Sequence, residues 1–332
     1  MKKVAIVGFG FMGKTHFGAW KKVRGAKVVA ICDQCLSQLT AKVVGNIKGA
    51  ADNSAVPKSV KVYENFDEML KAGDIDIVDI TLPTMLHAET VIKALQSGRH
   101  VMCEKPMALN VKDCDRMIAA AKAAKRVLMV AHVVRFQPAN LYLRKLIESK
   151  RYGKVIAADF TRFIAPPKWS PKGADWFFDE KKSGGVFLDA HIHDVDLIVS
   201  LFGKPDRVSA EIHRTAKGYP DHVSAAFRYG DALVTSDGSF SASASLVHDK
   251  AYRVFFEQAT VFFGPRYTPE LTVYPEKGKP FSPKLKSGVE AYADELKYFL
   301  GAVEKRNDGS FLTAESARDS VALALKERKI AR

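Results

Sequence analysis

The sequence predicts an α/β protein, with an N-terminal doubly wound parallel sheet followed by a C-terminal α+β domain built on a mostly antiparallel open sheet. Three observations carry that prediction. From residue 2 to about 133, short apolar runs alternate with helical stretches, the pattern of parallel strands covered on both faces. The first of those runs leads straight into the glycine-rich turn Gly8-Phe9-Gly10-Phe11-Met12-Gly13. After Val133 the texture changes to longer, partly alternating strands, with Tyr229-Gly230-Asp231 as a hairpin turn. The expected domains are therefore 1–133 and 134–332, with a C-terminal helix over 313–330 free to pack back on the first.

In the first domain the apolar runs place strands at 4–7, 28–31, 60–63, 77–80, 100–103 and 127–130. Helices are expected between them at 15–23, 37–44, 66–71, 86–97 and 113–125. The stretch 45–59, with its glycines and Pro57, reads as a loop inserted before the third strand. In the second domain a helix over 140–149 precedes strands at 155–164, 205–215, 222–230, 232–240, 252–264 and 270–275. The last helix, 314–329, starts at Thr313 with Glu315 close behind, a pattern that caps a helix N-terminus.

The glycine turn has a physical purpose. Its glycines permit a tight turn, a close approach of backbone to a pyrophosphate and close helix packing, with the helix N-terminus facing the phosphates. Asp33 ends the second strand 20 residues after Gly13, where a carboxylate suits the free ribose hydroxyls of NAD and repels a 2′-phosphate. The turn and Asp33 thus predict a bound dinucleotide, NAD ahead of NADP.

Two prolines cut strands at the edge where an open parallel sheet binds ligands. Pro83 ends Thr81-Leu82-Pro83, with His87 following at a helix start as either a plain first-turn residue or a neighbour of the cofactor. Pro106 ends Val101-Met102-Cys103-Glu104-Lys105 and so presents Glu104 and Lys105 at that edge. A lysine fixed there is a charged donor or, if desolvated, a proton-transfer group. Glu-Lys-Pro on its own is a three-residue pattern that most often marks an ordinary charged loop after a strand.

The second domain contains Ser183-Gly184-Gly185 followed by a helical apolar pattern carrying Asp189, His191, His193, Asp194 and Asp196. Asp189 and His193, four apart, share a face that Asp196 continues, while His191 and Asp194 point elsewhere. A histidine beside a carboxylate can act as a general base near neutral pH. The alternatives are a surface pair, a self-satisfied polar core, or a metal site. Helical i, i+2 spacing does not converge ligands on one ion, so no metal is expected.

Composition bounds the remaining classes. With 332 residues, 47% of them hydrophobic, the chain is long enough for two globular domains, and no apolar run approaches a membrane span. The start flows into glycines and is no signal peptide. The net charge of +14 is spread over many helices without a basic arm or a nucleic-acid motif, so neither nucleic acid nor membrane is an expected partner. Cys32, Cys35, Cys103 and Cys114 have no disulfide spacing, which suits a reducing cytoplasm. Cys32-x-x-Cys35 reads as coincidence at a strand end rather than a redox pair.

Taken in order, Gly8-Phe9-Gly10-Phe11-Met12-Gly13 with His16, Thr81-Leu82-Pro83 with His87, Glu104-Lys105-Pro106, and Gly184-Gly185 leading to Asp189 and His193 resemble the Gfo/Idh/MocA family of oxidoreductases. The resemblance covers essentially the whole chain. It implies a Rossmann domain, an α/β domain whose open sheet mediates homodimers or homotetramers, and hydride transfer between NAD(P) and a sugar or polyol carbon without a metal. It further implies that the cofactor is held by the glycine turn, Asp33, Thr81, Pro83, His87, Glu104 and Lys105. Lys105 would lie beside the nicotinamide and the substrate hydroxyl. His193 would be the proton acceptor, with Asp189 holding the substrate or orienting the base. Arg162 and Trp176 fall at substrate-lining positions without matching a firm motif.

Three functions are thereby expected in descending order. The first is an NAD(P)-dependent sugar or polyol dehydrogenase. The second is an enzyme that retains its cofactor and uses it internally, for oxidoreduction between sugars, epimerisation or glycoside cleavage. The third is a non-catalytic dinucleotide sensor, which has no need of a proton acceptor.

Overall fold

Six parallel strands and their crossover helices form the first sheet. The computed structural model of the chain describes residues 1–42, 50–165, 179–243, 245–246 and 248–331. In chain order the elements begin β1 (Lys2–Val7), α1 (Phe11–Trp20), β2 (Ala26–Cys32), β3 (Lys61–Tyr63), α2 (Phe66–Lys71), β4 (Ile77–Ile80) and α3 (His87–Gln96). They continue with β5 (His100–Glu104), α4 (Val111–Ala124), β6 (Leu128–Ala131), α5 (Pro138–Ser149), β7 (Val155–Phe163), α6 (Glu180–Ser183) and α7 (Ile192–Phe202). The remainder are β8 (Arg207–Arg214), β9 (Pro220–Tyr229), β10 (Ala232–Ser239), β11 (Asp249–Phe256), β12 (Ala259–Phe263), β13 (Leu271–Pro275), α8 (Ala291–Val303) and α9 (Ala314–Ile330).

The first sheet runs β3-β2-β1-β4-β5-β6 with every pair parallel. This is the order of a dinucleotide-binding Rossmann sheet, whose switch point lies between β1 and β4. Its central strands are fully buried: Val4, Ala5, Ile6, Ile77, Val78, Ile80, Val101, Met102 and Cys103 are all at 0% exposure. That explains why they read as continuous apolar runs rather than alternating ones.

The second sheet runs β13-β12-β11-β7-β10-β9-β8 and is antiparallel except for β7 against β10. One face is apolar and covered: Ala158 and Phe160 on β7, Val254 on β11 and Val234 on β10 are buried. The chain divides into two compact units, Met1–Val133 with Val289–Arg318, and Val134–Gly288 with Asp319–Arg332. The 289–318 segment groups with the first unit, whereas the sequence reading ends the first domain at 133 and lets only the helix over 313–330 pack back on it.

Three local expectations change. The helix expected at 37–44 is a 3-10 turn, Leu36–Leu39, with no buried residue; its last residues, 43 and 44, lie outside the described residues. Without an apolar stripe to bury, the stretch gains nothing by helix formation. The strand expected at 252–264 is a hairpin, β11 and β12, turning at Glu257-Gln258. No turn residue announces it, because contacts with 152–154 hold the turn. Glu257 N–H donates to Lys154 O (3.0 Å), Gln258 N–H to Tyr152 O (3.0 Å), and Lys154 N–H to the Glu257 carboxylate (3.0 Å). Finally, α8 is absent from the expected elements although Tyr292, Leu296, Phe299, Leu300 and Val303 follow a helical period and are buried. The cap at Thr313 does form, its hydroxyl accepting the Ser316 N–H at 3.0 Å.

Candidate active site

In the first unit the ends of β1, β2, β4 and β5 gather most of the expected cofactor residues. Gly8 has φ +88°, and a Cβ there would lie 2.9 Å from Thr81 O; at Gly13 a Cβ would meet Gly8 O at 2.1 Å. Only glycine allows both, and α1 can therefore start at Phe11, earlier than its apolar pattern alone suggests. Over Gly10 the space is open, with nothing within 4 Å of an added Cβ. No side chain caps α1 and no acid lies in its first turn. An open cradle before uncapped amides fits a pyrophosphate, so these residues fit NAD. The Phe9 ring is 1% exposed and packs edge-on to Phe17 at 5.6 Å, which leaves only its backbone for a ligand. Phe11 and Met12 are half-buried.

Asp33 leaves β2 with its carboxylate accepting the Phe9 N–H at 2.6 Å and the Cys35 N–H at 2.8 Å. It thus fixes the glycine turn against the second strand while remaining partly open. Asp33→Ala is expected to weaken NAD binding and to reduce discrimination against NADP. Titrating both cofactors by nucleotide fluorescence checks this, and unchanged affinities for both would remove Asp33 from ribose recognition.

The other edge residues divide into those that face inward and those that stay open. Thr81 donates its hydroxyl to Gly8 O at 2.6 Å, tying β4 to the glycine turn. His87 is fully buried, its ring nitrogens 2.9 Å from Pro106 O and 2.8 Å from Leu82 O. It braces the two proline turns against each other, and burial pushes its pKa down. Glu104, expected at the edge beside Lys105, turns into the interior. Its carboxylate lies 3.1 Å from His16 Nε2 and accepts the Lys105 N–H at 2.9 Å. Pro83 and Lys105 are partly open.

Sequence reasoning missed the group beneath this edge. His16 Nδ1 lies 2.9 Å from the Asp79 carboxylate, and Trp20 Nε1–H donates to the same carboxylate at 2.7 Å. Asp79, His16 and Trp20 are all buried. Burial alone would push the His16 imidazole down, but Asp79 and Glu104 overcome it and hold its pKa well above the ordinary value. Burial likewise opposes ionisation of Glu104, and His16 with Lys105 keeps its pKa below the usual carboxylate value. A charged His16 between two carboxylates therefore anchors the strand end that carries Lys105. The available signal was Asp79 itself, an acid in the middle of the apolar strand Ile77-Val78-Asp79-Ile80.

In the second unit the Asp189–His193 helix is not regular. Phe187–His191 forms a π-helical turn that runs into α7. Such turns widen the helix and re-aim side chains, often at functional sites. From Val186 to Val199 only Asp189 and His193 remain partly open; every other residue is buried. The flanking polar residues are each engaged elsewhere. His191 Nε2 lies 2.7 Å from the Glu327 carboxylate, and Asp194 receives Nε and Nη2 of Arg162 at 2.7 and 2.9 Å. Asp196 receives two Arg135 nitrogens at 2.7 Å and the Ser320 hydroxyl at 2.9 Å. Asp196 is thus a buried anchor and does not continue the open face expected from its spacing. Arg162 is also buried, its fork closed on Asp194. Trp176 lies outside the described residues.

Among the described residues no group of three His, Cys, Asp or Glu side chains could hold a metal ion. All four cysteines are free thiols. Burial beside Asp33 pushes the Cys32 thiol up to about 11, and a thiol so far from its thiolate makes a poor redox partner for Cys35.

Comparison with known proteins then settles the kinship. Residues 2–132 match the GFO/IDH/MocA oxidoreductase family with its NAD-binding Rossmann fold, and residues 140–262 match the GFO/IDH/MocA C-terminal domain. The chain belongs to the GFO/IDH/MocA family. It is 31% identical over 208 residues to 2,7-anhydro-N-acetylneuraminate hydratase of Mediterraneibacter gnavus, covering 62% of this chain and 50% of that protein. With scyllo-inositol 2-dehydrogenase (NAD(+)) of Bacillus subtilis it shares 27% identity over 314 residues, 91% of this chain and 86% of the enzyme. The chain spans about half the length of other curated relatives that it matches. Its fold is that of the Bordetella pertussis WlbA dehydrogenase, solved with NADH and UDP-GlcNAcA. The TM-score is 0.83 at 23% identity, over 99% of this chain and 95% of that one.

Proposed function

We propose that the protein is an NAD(P)-dependent oxidoreductase acting on a CH–OH carbon of a sugar, a polyol or a related compound. The observation that carries this reading is the pair Asp189 and His193, one helical turn apart and the two partly exposed residues of an otherwise buried segment from Val186 to Val199. A carboxylate and an imidazole on one face of that segment, both reachable from solvent, are the pair that acid–base chemistry uses. The NAD-binding family membership supports the redox half, and a relative named as an inositol dehydrogenase supports the substrate class.

NAD, when bound, supplies the hydride acceptor. His193 takes the hydroxyl proton as the C–H bond breaks, an imidazole being suited to that near neutral pH. Lys105, held at its strand end by the Glu104–His16–Asp79 group, steadies the charge that develops on the oxygen. Asp189 orients the imidazole or holds a neighbouring substrate hydroxyl. The glycine turn and Asp33 hold the dinucleotide. The open face of the second sheet, with Phe255 and Tyr274 exposed, is the surface on which we place a homodimer or homotetramer contact. The four free thiols suit a cytoplasmic setting.

The test is NADH formation from NAD over a panel of polyols, sugars and sugar acids, with Lys105→Met alongside. Turnover by the wild type and a clear loss in the variant are expected. A flat panel with intact NAD binding would count against a dehydrogenase. Unaffected Lys105→Met kinetics would reduce the Glu-Lys-Pro stretch to scaffolding.

One observation favours the second reading, retained cofactor used internally. A relative carries the name of a hydratase, and hydration involves no net oxidation. NAD(H) that co-elutes with the protein through gel filtration, together with a flat NADH panel, is the result that reading predicts.

A further inference from the structure

On the covered face of the second sheet, three neighbouring strands place Gly238, Arg162 and Lys250 in one row: Gly238 of β10 pairs with Arg162 of β7, which pairs with Lys250 of β11. The row is built around the helix that carries His193. A Cβ on Gly238 would meet His191 Cβ and Nδ1 at 2.8 Å, so the missing side chain is what lets the π-helical turn lie against the sheet. Arg162, next in the row, is spent on Asp194, the residue after His193. Lys250 comes last, half-buried, and no hydrogen bond or ion pair reaches its ammonium among the described residues.

Two acids lie within electrostatic reach of Lys250, and no ion pair joins its ammonium to either. Asp194 already receives two nitrogens of Arg162, and Glu270, the other acid within electrostatic reach, is exposed. His248, two residues back on the same strand entry, is half-buried, and its Nε2 has no hydrogen-bond partner among the described residues. Burial, with Arg162 and Lys250 close by, pushes the His248 imidazole down to about 3. Burial and the Arg162 charge also lower the Lys250 pKa. A partly desolvated cation with a second cation beside it is costly unless an anion completes it. Among the described residues no carboxylate meets the Lys250 ammonium directly: Asp194 is closed on Arg162, and Glu270 acts only from the exposed surface.

We propose that Lys250, backed by Arg162 and flanked by His248, receives an anionic oxygen group of the substrate, a carboxylate or a phosphate. The substrate is then an acidic sugar or polyol derivative rather than a neutral one. This rests on the oxidoreductase reading only for the word substrate; the anion site itself rests on the row.

Calorimetric binding to the wild-type protein in NADH tests it with matched series at low salt. These are glucose, glucuronate and glucose 6-phosphate; galactose, galacturonate and galactose 6-phosphate; and myo-inositol with its monophosphate. At least one acid is expected to bind about tenfold or more tighter than its neutral parent, as a charge-assisted contact requires. That advantage should vanish in Lys250→Gln and return in Lys250→Arg, with NADH affinity unchanged in both, which separates loss of the charge from loss of the fold. A gain confined to the carboxylates or to the phosphates identifies the group. Acids that bind no tighter than their neutral parents in every series, or an advantage that survives in Lys250→Gln, would overturn the proposal. Acid binding that follows Lys250 while no acid yields NADH from NAD would instead overturn the dehydrogenase and leave the anion site standing.

Discussion

His193→Ala is expected to lower turnover by about 100-fold or more while leaving NAD affinity unchanged. The reasoning starts with exposure. His193 and Asp189 are the two partly exposed residues between Val186 and Val199, so the substitution leaves the fully buried residues of α7 unchanged. The variant should therefore fold, and the loss should appear in kcat rather than in melting temperature. A general base is also recognisable by its pH dependence: the acid limb of the kcat/KM profile for alcohol oxidation, set by the imidazole, should disappear in the variant. Near-normal turnover, or an unchanged acid limb, would remove His193 from the mechanism.

Asp79→Ala is expected to destabilise the protein by about 3–5 kcal/mol, the range for breaking a buried charged pair. The change leaves His16 and the Trp20 N–H, both buried, without the carboxylate that binds them. It also has a pH signature. The folded-state pKa of His16 is raised, so its contribution is fully present below the unfolded value of about 6.5 and is lost as pH rises through the folded value. The gap between wild type and Asp79→Ala should thus be widest at about pH 5–6.5, above the carboxylate range, and should narrow at alkaline pH. Urea unfolding across that range measures it. A gap of equal size at all pH values would show that His16 is not charged in the folded protein.

Much of this was legible from the sequence, and for identifiable reasons. The central strands are buried on both faces, and burial of that kind leaves unbroken apolar runs. The glycine turn was legible because Gly8 and Gly13 answer to contacts that no other residue tolerates. What stayed hidden is long-range. Nothing near Glu257 marks the turn between β11 and β12, because residues 152–154 hold it. Helical spacing put Asp196 on the open face with His193. Arg135, distant in sequence, claims it instead, and the π-helical turn before α7 breaks the regular period on which that reading relied. Glu104 appeared to be a ligand-facing residue beside Lys105 until its partner His16, 88 residues away, became visible. The row joining Gly238, Arg162 and Lys250 draws on three strands and has no sequence signature at all.

The most direct measurement of the central claim follows the hydrogen. With the best substrate from the panel deuterated at its carbinol carbon, the NADH formed should carry one deuterium, and its formation should slow relative to the unlabelled substrate when chemistry limits the rate. NADH without the label would place the oxidised carbon elsewhere. Complete conversion of substrate with the label kept in the product and no NADH formed would contradict net hydride transfer to NAD as the chemistry of this protein.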